Sequence, residues 1–264
     1  MNQLLLPLDV MVFELRRSLT IGRIAIWMML IAFPLGIVTT ISMAAKLKLG
    51  ERYTAEHLTE PFGMAMYFLI PEVSCLLGLL LWATPAISTE IEGQTWVYLM
   101  MRQSGRGVVL IGKYLTGVVW TLSASLIAVA LCCIVVGPDI GSELWWVLTK
   151  LVTLSCFVHA ALYLSIGTIF YRRTMVAAVL YTVFVEYVVS FIPALVNKFT
   201  INYRLRGLLA DWMKWDNARS QAEHIFGSES ASMHLMMLAL MVAILLGIAV
   251  YRVQRTEYPT QQEG

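Results

Sequence analysis

The residues best suited to chemistry with a partner lie in a polar island between two long apolar runs. It reads Ile87-Ser88-Thr89-Glu90-Ile91-Glu92-Gly93-Gln94-Thr95-Trp96-Val97-Tyr98-Leu99, followed by Arg102, Arg106 and Gly112-Lys113. Thr89 and Glu92 have the spacing of a capping box, and Glu90 and Glu92 fall at the positive end of the helix that it would start. Arg102 stands near the other end and Gly105 is a natural stop, so the pattern predicts a short capped helix over Thr89 to Met101. Charged groups on such a helix form a docking surface; the plainer reading is a re-entry turn between two membrane spans.

A second group of ionisable residues sits inside the apolar runs: Glu72 after Pro71, His159 and Glu186. A charged side chain at the centre of a bilayer costs about 2.5 to 3.5 kcal/mol on insertion scales, so each should face protein or water. One reading is a polar substrate or proton pathway. The other is structural, with Glu186 protonated or paired with a group such as His159. Lys150 lies nearer a span end and can snorkel. Gly107 to Lys113 has the spacing of a phosphate-binding loop, but Tyr114 stands where a Mg²⁺-holding Ser or Thr belongs, and the stretch leads directly into an apolar run.

Six apolar runs must position these groups: about Ile24 to Ala45, Gly63 to Ile87, Leu110 to Val136, Leu144 to Phe170, Met175 to Val196 and Met233 to Tyr251. A bilayer core of about 30 Å needs roughly 20 apolar residues at about 1.5 Å rise each, which these runs supply. The fold class expected is therefore all-α, a polytopic membrane protein with six transmembrane helices. Arg16, Arg17 and Arg23, then Arg102, Arg106 and Lys113, then Arg172 and Arg173, then Arg252 and Arg255 flank one set of span ends, whereas the short loop Gly137 to Glu143 has no Lys or Arg. This asymmetry puts both termini in the cytoplasm and the chain in the cell membrane, for a bacterium its cytoplasmic membrane.

The expected organisation is a cytoplasmic amphipathic helix over 1–23, the permease-like bundle over 24–251 and a short polar tail over 252–264. Within the bundle, 88–109 is a cytoplasmic segment and 197–232 an external loop. In the N-terminal helix Leu8, Met11, Val12, Leu15 and Leu19 recur at helical spacing opposite Asp9, Arg16, Arg17 and Thr20. In the external loop Leu205, Leu208, Leu209 and Trp212 do the same, with Arg206, Asp211 and Lys214 turned away, which predicts a cap lying in the membrane interface. Pro34, Gly36, Pro85 and Pro193 supply kinks.

The chain has 264 residues, 59% hydrophobic and only 14% charged, where soluble domains carry roughly a quarter charged residues. A formal charge of +2 without basic-aromatic clusters gives no reason to expect nucleic acid. Cys75, Cys132, Cys133 and Cys156 all fall in apolar runs and read as core residues rather than disulfides or metal ligands. No HExxH or GxSxG is present, so an intramembrane enzyme is disfavoured.

The pattern Ser88-x-Glu90-x-x-Gly93-x-Thr95-x-x-Tyr98-Leu99, with Arg102, Arg106 and Gly112-Lys113 entering the next span, resembles the ABC-2 type permeases, membrane subunits of ATP-binding cassette exporters. Those proteins typically carry Gly directly before Thr and a proline downstream. Here Gln94 intervenes, and Gln103 or Ser104 stands where the proline is common. The resemblance implies a transport subunit with no catalytic site, cofactor or metal of its own. It would pair with a second permease, identical or not, and with ATPase subunits that bind ATP and Mg. By the same analogy Glu90, Glu92, Gly93, Thr95, Arg102 and Arg106 form the ATPase-coupling site. A proton-coupled secondary transporter using Glu72, Glu186 and His159, or a non-transporting accessory membrane protein, are the competing readings.

Overall fold

The computed structural model describes residues 6–50, 53–93, 105–192, 195–215, 229–256 and 258. Among these residues the regular structure is all helical, and six helices are long and apolar enough to cross a membrane: Ile21–Leu49, His57–Ala86, Gly105–Val136, Pro138–Ile169, Thr174–Phe191 and Ala231–Arg255. The chain is an all-α, multi-pass membrane protein. The second, third and fourth spans start five or six residues before their apolar runs and the first and sixth end four residues after theirs, because helical hydrogen bonding continues into the polar flanks, whereas the fifth stops at Phe191, short of Val196.

The third and fourth spans form the middle of the bundle. Their turn is a single residue, Gly137, at φ 111° and ψ 159°, a conformation that favours glycine. Pro138 then occupies the first helical turn, where its missing N–H removes no bond. The loop expected over Gly137 to Glu143 is thus mostly helix. Tight crossing is allowed by small residues: a side chain at Gly78 would meet Thr121 of the third span at 2.9 Å, and one at Gly167 would run into the carbonyl of Thr84. The first, fifth and sixth spans lie outside, and Met29, Phe33, Val176, Phe184, Met236 and Ile244 point away from the core, as lipid-facing residues must.

Trp27, Trp82 and Trp120 lie towards the end that carries both termini, where Trp27 Nε1 donates to Ser123 Oγ at 3.0 Å and Trp82 stacks on Trp120. Lys46, nineteen residues beyond Trp27 and so about 29 Å away along one helix, reaches Val135 O at the opposite end, a separation close to a bilayer core.

The second and fifth spans are not uniform helices. The second contains a π-helical turn at Phe68–Ser74 around Pro71 and a 3₁₀ turn at Thr84–Ala86 around Pro85. The fifth contains a π-helical turn at Thr182–Val188 and ends in a 3₁₀ turn, after which Ile192 is extended. Pro34 sits in an uninterrupted helix, and Pro193 lies outside the described residues.

Candidate functional site

At the termini-bearing end the second span runs almost directly into a five-residue helix, Ser88–Glu92, closed by Gly93. The expected capping box is not formed. Ile87 has helical dihedrals instead of the extended ones an N-cap needs, and Thr89 Oγ1 donates backwards to Pro85 O at 2.9 Å. Ser88 Oγ donates to the same Pro85 carbonyl at 3.3 Å, so both hydroxyls at the start of this helix turn back to the 3₁₀ turn. The expected far end of the helix, with Thr95, Trp96, Tyr98, Leu99, Met101 and Arg102, lies outside the described residues.

The two glutamates of this helix have different fates. Glu92 and Gly93 are exposed, whereas Glu90 is buried and accepts from Lys113 Nζ at 2.7 Å. Lys113 also meets Glu14 of the N-terminal helix at 3.3 Å, and all three side chains are at most 16% exposed. One cation of the third span thus ties together two segments far apart in sequence. Residues 105–136 are one continuous helix, so Gly107 to Lys113 is helical where a phosphate-binding loop would have to be open. Arg106 points to the C-terminus of the sixth span, donating to Gln254 O at 3.1 Å and Val253 O at 3.5 Å, where carbonyls lack helical partners. The tail is therefore partly structured: the last helix runs to Arg255, and Tyr258 is buried with its hydroxyl donating to Thr168 O at 3.1 Å.

The N-terminal helix, Leu6–Ser18, forms as expected, but its inward face is not the apolar stripe. Val10, Met11, Glu14 and Ser18 face the third span: Thr116 Oγ1 donates to Met11 O, and Ser18 Oγ accepts from Trp120 Nε1 at 2.7 Å. Gly112 makes room for this, since a Cβ there would stand 2.7 Å from that of Val10. Leu8, Val12, Phe13 and Leu19 remain exposed for lipid, beside exposed Asp9, Arg16 and Arg17.

Deeper in the bundle each embedded glutamate sits in one of the π-helical turns, a distortion that frees carbonyls for outside partners. Ser155 Oγ of the fourth span donates to Pro71 O at 2.8 Å, and Tyr187 Oη of the fifth donates to Glu72 O at 3.1 Å. The Glu186 carboxylate accepts from the backbone N–H groups of Ile201 and Asn202, at 3.3 and 3.0 Å. These are the first residues of the cap helix Ile201–Trp212, so a membrane-embedded carboxylate supplies what its orphan donors lack.

That arrangement overturns two expectations. Glu186 is bonded to the cap helix and not to His159, whose Nδ1 lies 3.0 Å from Ser155 O and whose ring stacks on Tyr163. The cap helix does not float in the interface: Ile201 to Ala210 are all buried. Arg206, expected to point outward, is 4% exposed and reaches inward, with Nε 3.6 Å from Glu72 Oε1 and hydrogen bonds to Asn202 O and Ser190 O. Phe191 covers its guanidinium at 4.1 Å. The physical reason is charge: an embedded Glu72 needs a counter-ion, and the cap helix brings one. Lys214 is exposed as expected, and Lys150 lies over the Trp212 ring.

The cap is tied to the sixth span through Glu229, which takes Lys198 at 2.8 Å and the Tyr203 hydroxyl at 3.0 Å. Burial alone would raise the Glu229 carboxyl, but the hydrogen bonds from Lys198 and Tyr203 hold it down at about 2. The cysteines are buried and free, with Cys75 and Cys156 sulfurs 3.6 Å apart. Among the described residues no three His, Cys, Asp or Glu gather into a metal-binding group. In comparisons with known proteins, no family model and no curated sequence matches the chain.

Proposed function

We propose that this chain is the permease subunit of an ATP-binding cassette exporter of the ABC-2 type, working in the cell membrane, for a bacterium the cytoplasmic one, with both termini in the cytoplasm. The observation that carries the reading is the helix Ser88–Glu92 at the termini-bearing end. It is continuous with the second span, clamped to the third by Glu90 and Lys113, and ends in exposed Glu92 and Gly93. A knob so anchored transmits a push on its tip to the bundle instead of bending. The push comes from a separate ATPase subunit holding ATP and Mg, and a second permease completes the transport path.

Within this reading Glu92, Gly93, Thr95 and Arg102 meet the ATPase, while Glu90 and Arg106 act behind the contact by holding the knob and the end of the sixth span. Glu72, Glu186 and Arg206 anchor the cap over the far side. The test is co-purification of ATP hydrolysis with the tagged chain. Wild type should retain an ATPase and Glu92→Lys should lose most of it. Movement of a solute by the purified chain alone, driven by a pH gradient in liposomes, would refute the reading in favour of proton-coupled transport.

A further inference from the structure

Where the N-terminal helix turns into the first span, at Leu19 and Thr20, an apolar groove of about 300 Å³ opens towards the lipid. Val12, Leu15 and Leu19 form one wall and Val119 the other, with Trp120 behind and Arg16 at the rim. Its volume equals that of roughly ten waters in the liquid, enough for a run of about ten methylene-sized groups. The groove lies level with Trp27, Trp82 and Trp120, which is the depth at which headgroups give way to acyl chains.

Arg16 at this groove is exposed, and among the described residues it has no carboxylate within ion-pair distance. Of the two acids on the helix, Glu14 faces the other way and is taken by Lys113, and exposed Asp9 lies seven residues, about two turns, before Arg16. An apolar slot with an exposed guanidinium group at the membrane boundary matches one ligand chemistry, a chain that is greasy along its length and anionic at its end. We infer that an anionic phospholipid binds here, its acyl chain between the N-terminal helix and the third span and its phosphate at Arg16. The site rests only on the membrane placement of the chain and is independent of the transport reading.

The lipid has a structural consequence. The polar, inward face of the N-terminal helix is fixed by Lys113 and Trp120, but its outer side leaves Val119 39% exposed and Leu19 63% exposed. A bound chain fills that side and wedges the helix in place. Guanidinium groups near an anionic surface contribute about 1 kcal/mol each, a factor of about five in affinity.

The experiment is native mass spectrometry of the full chain, offered phosphatidylglycerol or phosphatidylcholine with identical acyl chains. One phosphatidylglycerol should be retained in preference, Arg16→Glu should weaken retention at least fivefold, and Val119→Trp, which fills an open slot without entering the core, should abolish it at an unchanged melting temperature. Equal retention of the two lipids, or retention untouched by both variants, overturns the inference. So does displacement by inorganic phosphate, which would mark a free-anion site and not a lipid one.

Discussion

Replacing Lys113 by Met removes a cation shared by Glu90 and Glu14 and leaves two carboxylates, 7% and 16% exposed, without it. Breaking a buried pair by deleting one partner costs about 3 to 5 kcal/mol, chiefly because the remaining charge stays buried. Glu14 is the more exposed of the two, so the lower figure, about 3 kcal/mol, applies here. On the scale of roughly 2–4 °C per kcal/mol for a chain of this size, melting in detergent should fall by about 6–12 °C. Two companions separate charge from shape. Lys113→Arg should keep most of the stability, and the double variant Glu90→Gln with Lys113→Met should melt above Lys113→Met alone, because one of the two carboxylates deprived of the lysine has gone. If the double variant were as unstable as the sum of the two single changes, Glu90 and Lys113 would not be coupled and the clamp would be a coincidence of position.

Arg206→Met should destabilise the protein by about 3 kcal/mol or more, since Glu72, Asn202 O and Ser190 O all lose a buried donor, and Glu72→Gln on that background should recover part of the loss in the same melting assay. Glu229 is held at about 2, below its usual 4.5, so its contribution is complete above pH of about 4.5 and is lost as pH falls towards about 2. An acid titration of stability should therefore flatten over that window in Glu229→Gln. Gly112→Val should push Val10 and Pro7 away and cost about 1–3 kcal/mol by overpacking, visible as faster hydrogen exchange across residues 7–18.

The spans were legible because length and apolar content are properties of each segment alone. What pairs across the chain was not. Leu205, Leu208, Leu209 and Trp212 make one helical stripe, and that stripe predicts a surface helix with Arg206 outside. In the fold, Asn202, Arg204 and Arg206 are buried too, because their partners come from other spans and from the approach to the sixth. A signal for this existed: Glu72 and Glu186 sit mid-span, and no span carries a mid-span Lys or Arg to answer them, so a permanent counter-charge had to come from a connecting segment. The π-helical turns left a weaker trace, Pro71 in the second span and nothing in the fifth. Thr89 shows the opposite failure. A local capping pattern was present, yet the helix before it never ended, and an upstream proline carbonyl outbid the cap.

The two charge clusters follow the same plan at opposite ends of the bundle. Lys113 joins Glu14 and Glu90, and so holds the N-terminal helix and the helix Ser88–Glu92 to the third span; Arg206 joins Glu72 to a cap helix whose first turn Glu186 completes. Buried ion pairs of this kind add little net stability over well-fitted apolar groups, so stability alone does not account for them. Their geometry does: an apolar stripe can slide along a lipid-facing span by a turn at small cost, whereas a salt bridge of 2.7 Å or a carboxylate on two backbone N–H groups permits one position. The segments pinned in this way are the three that no span length or hydropathy could hold. On the proposed transport reading, a push on Glu92 would pass to the third span through Glu90 and Lys113, and Lys113→Met should then lower the ATP hydrolysis coupled to transport even where the fold survives.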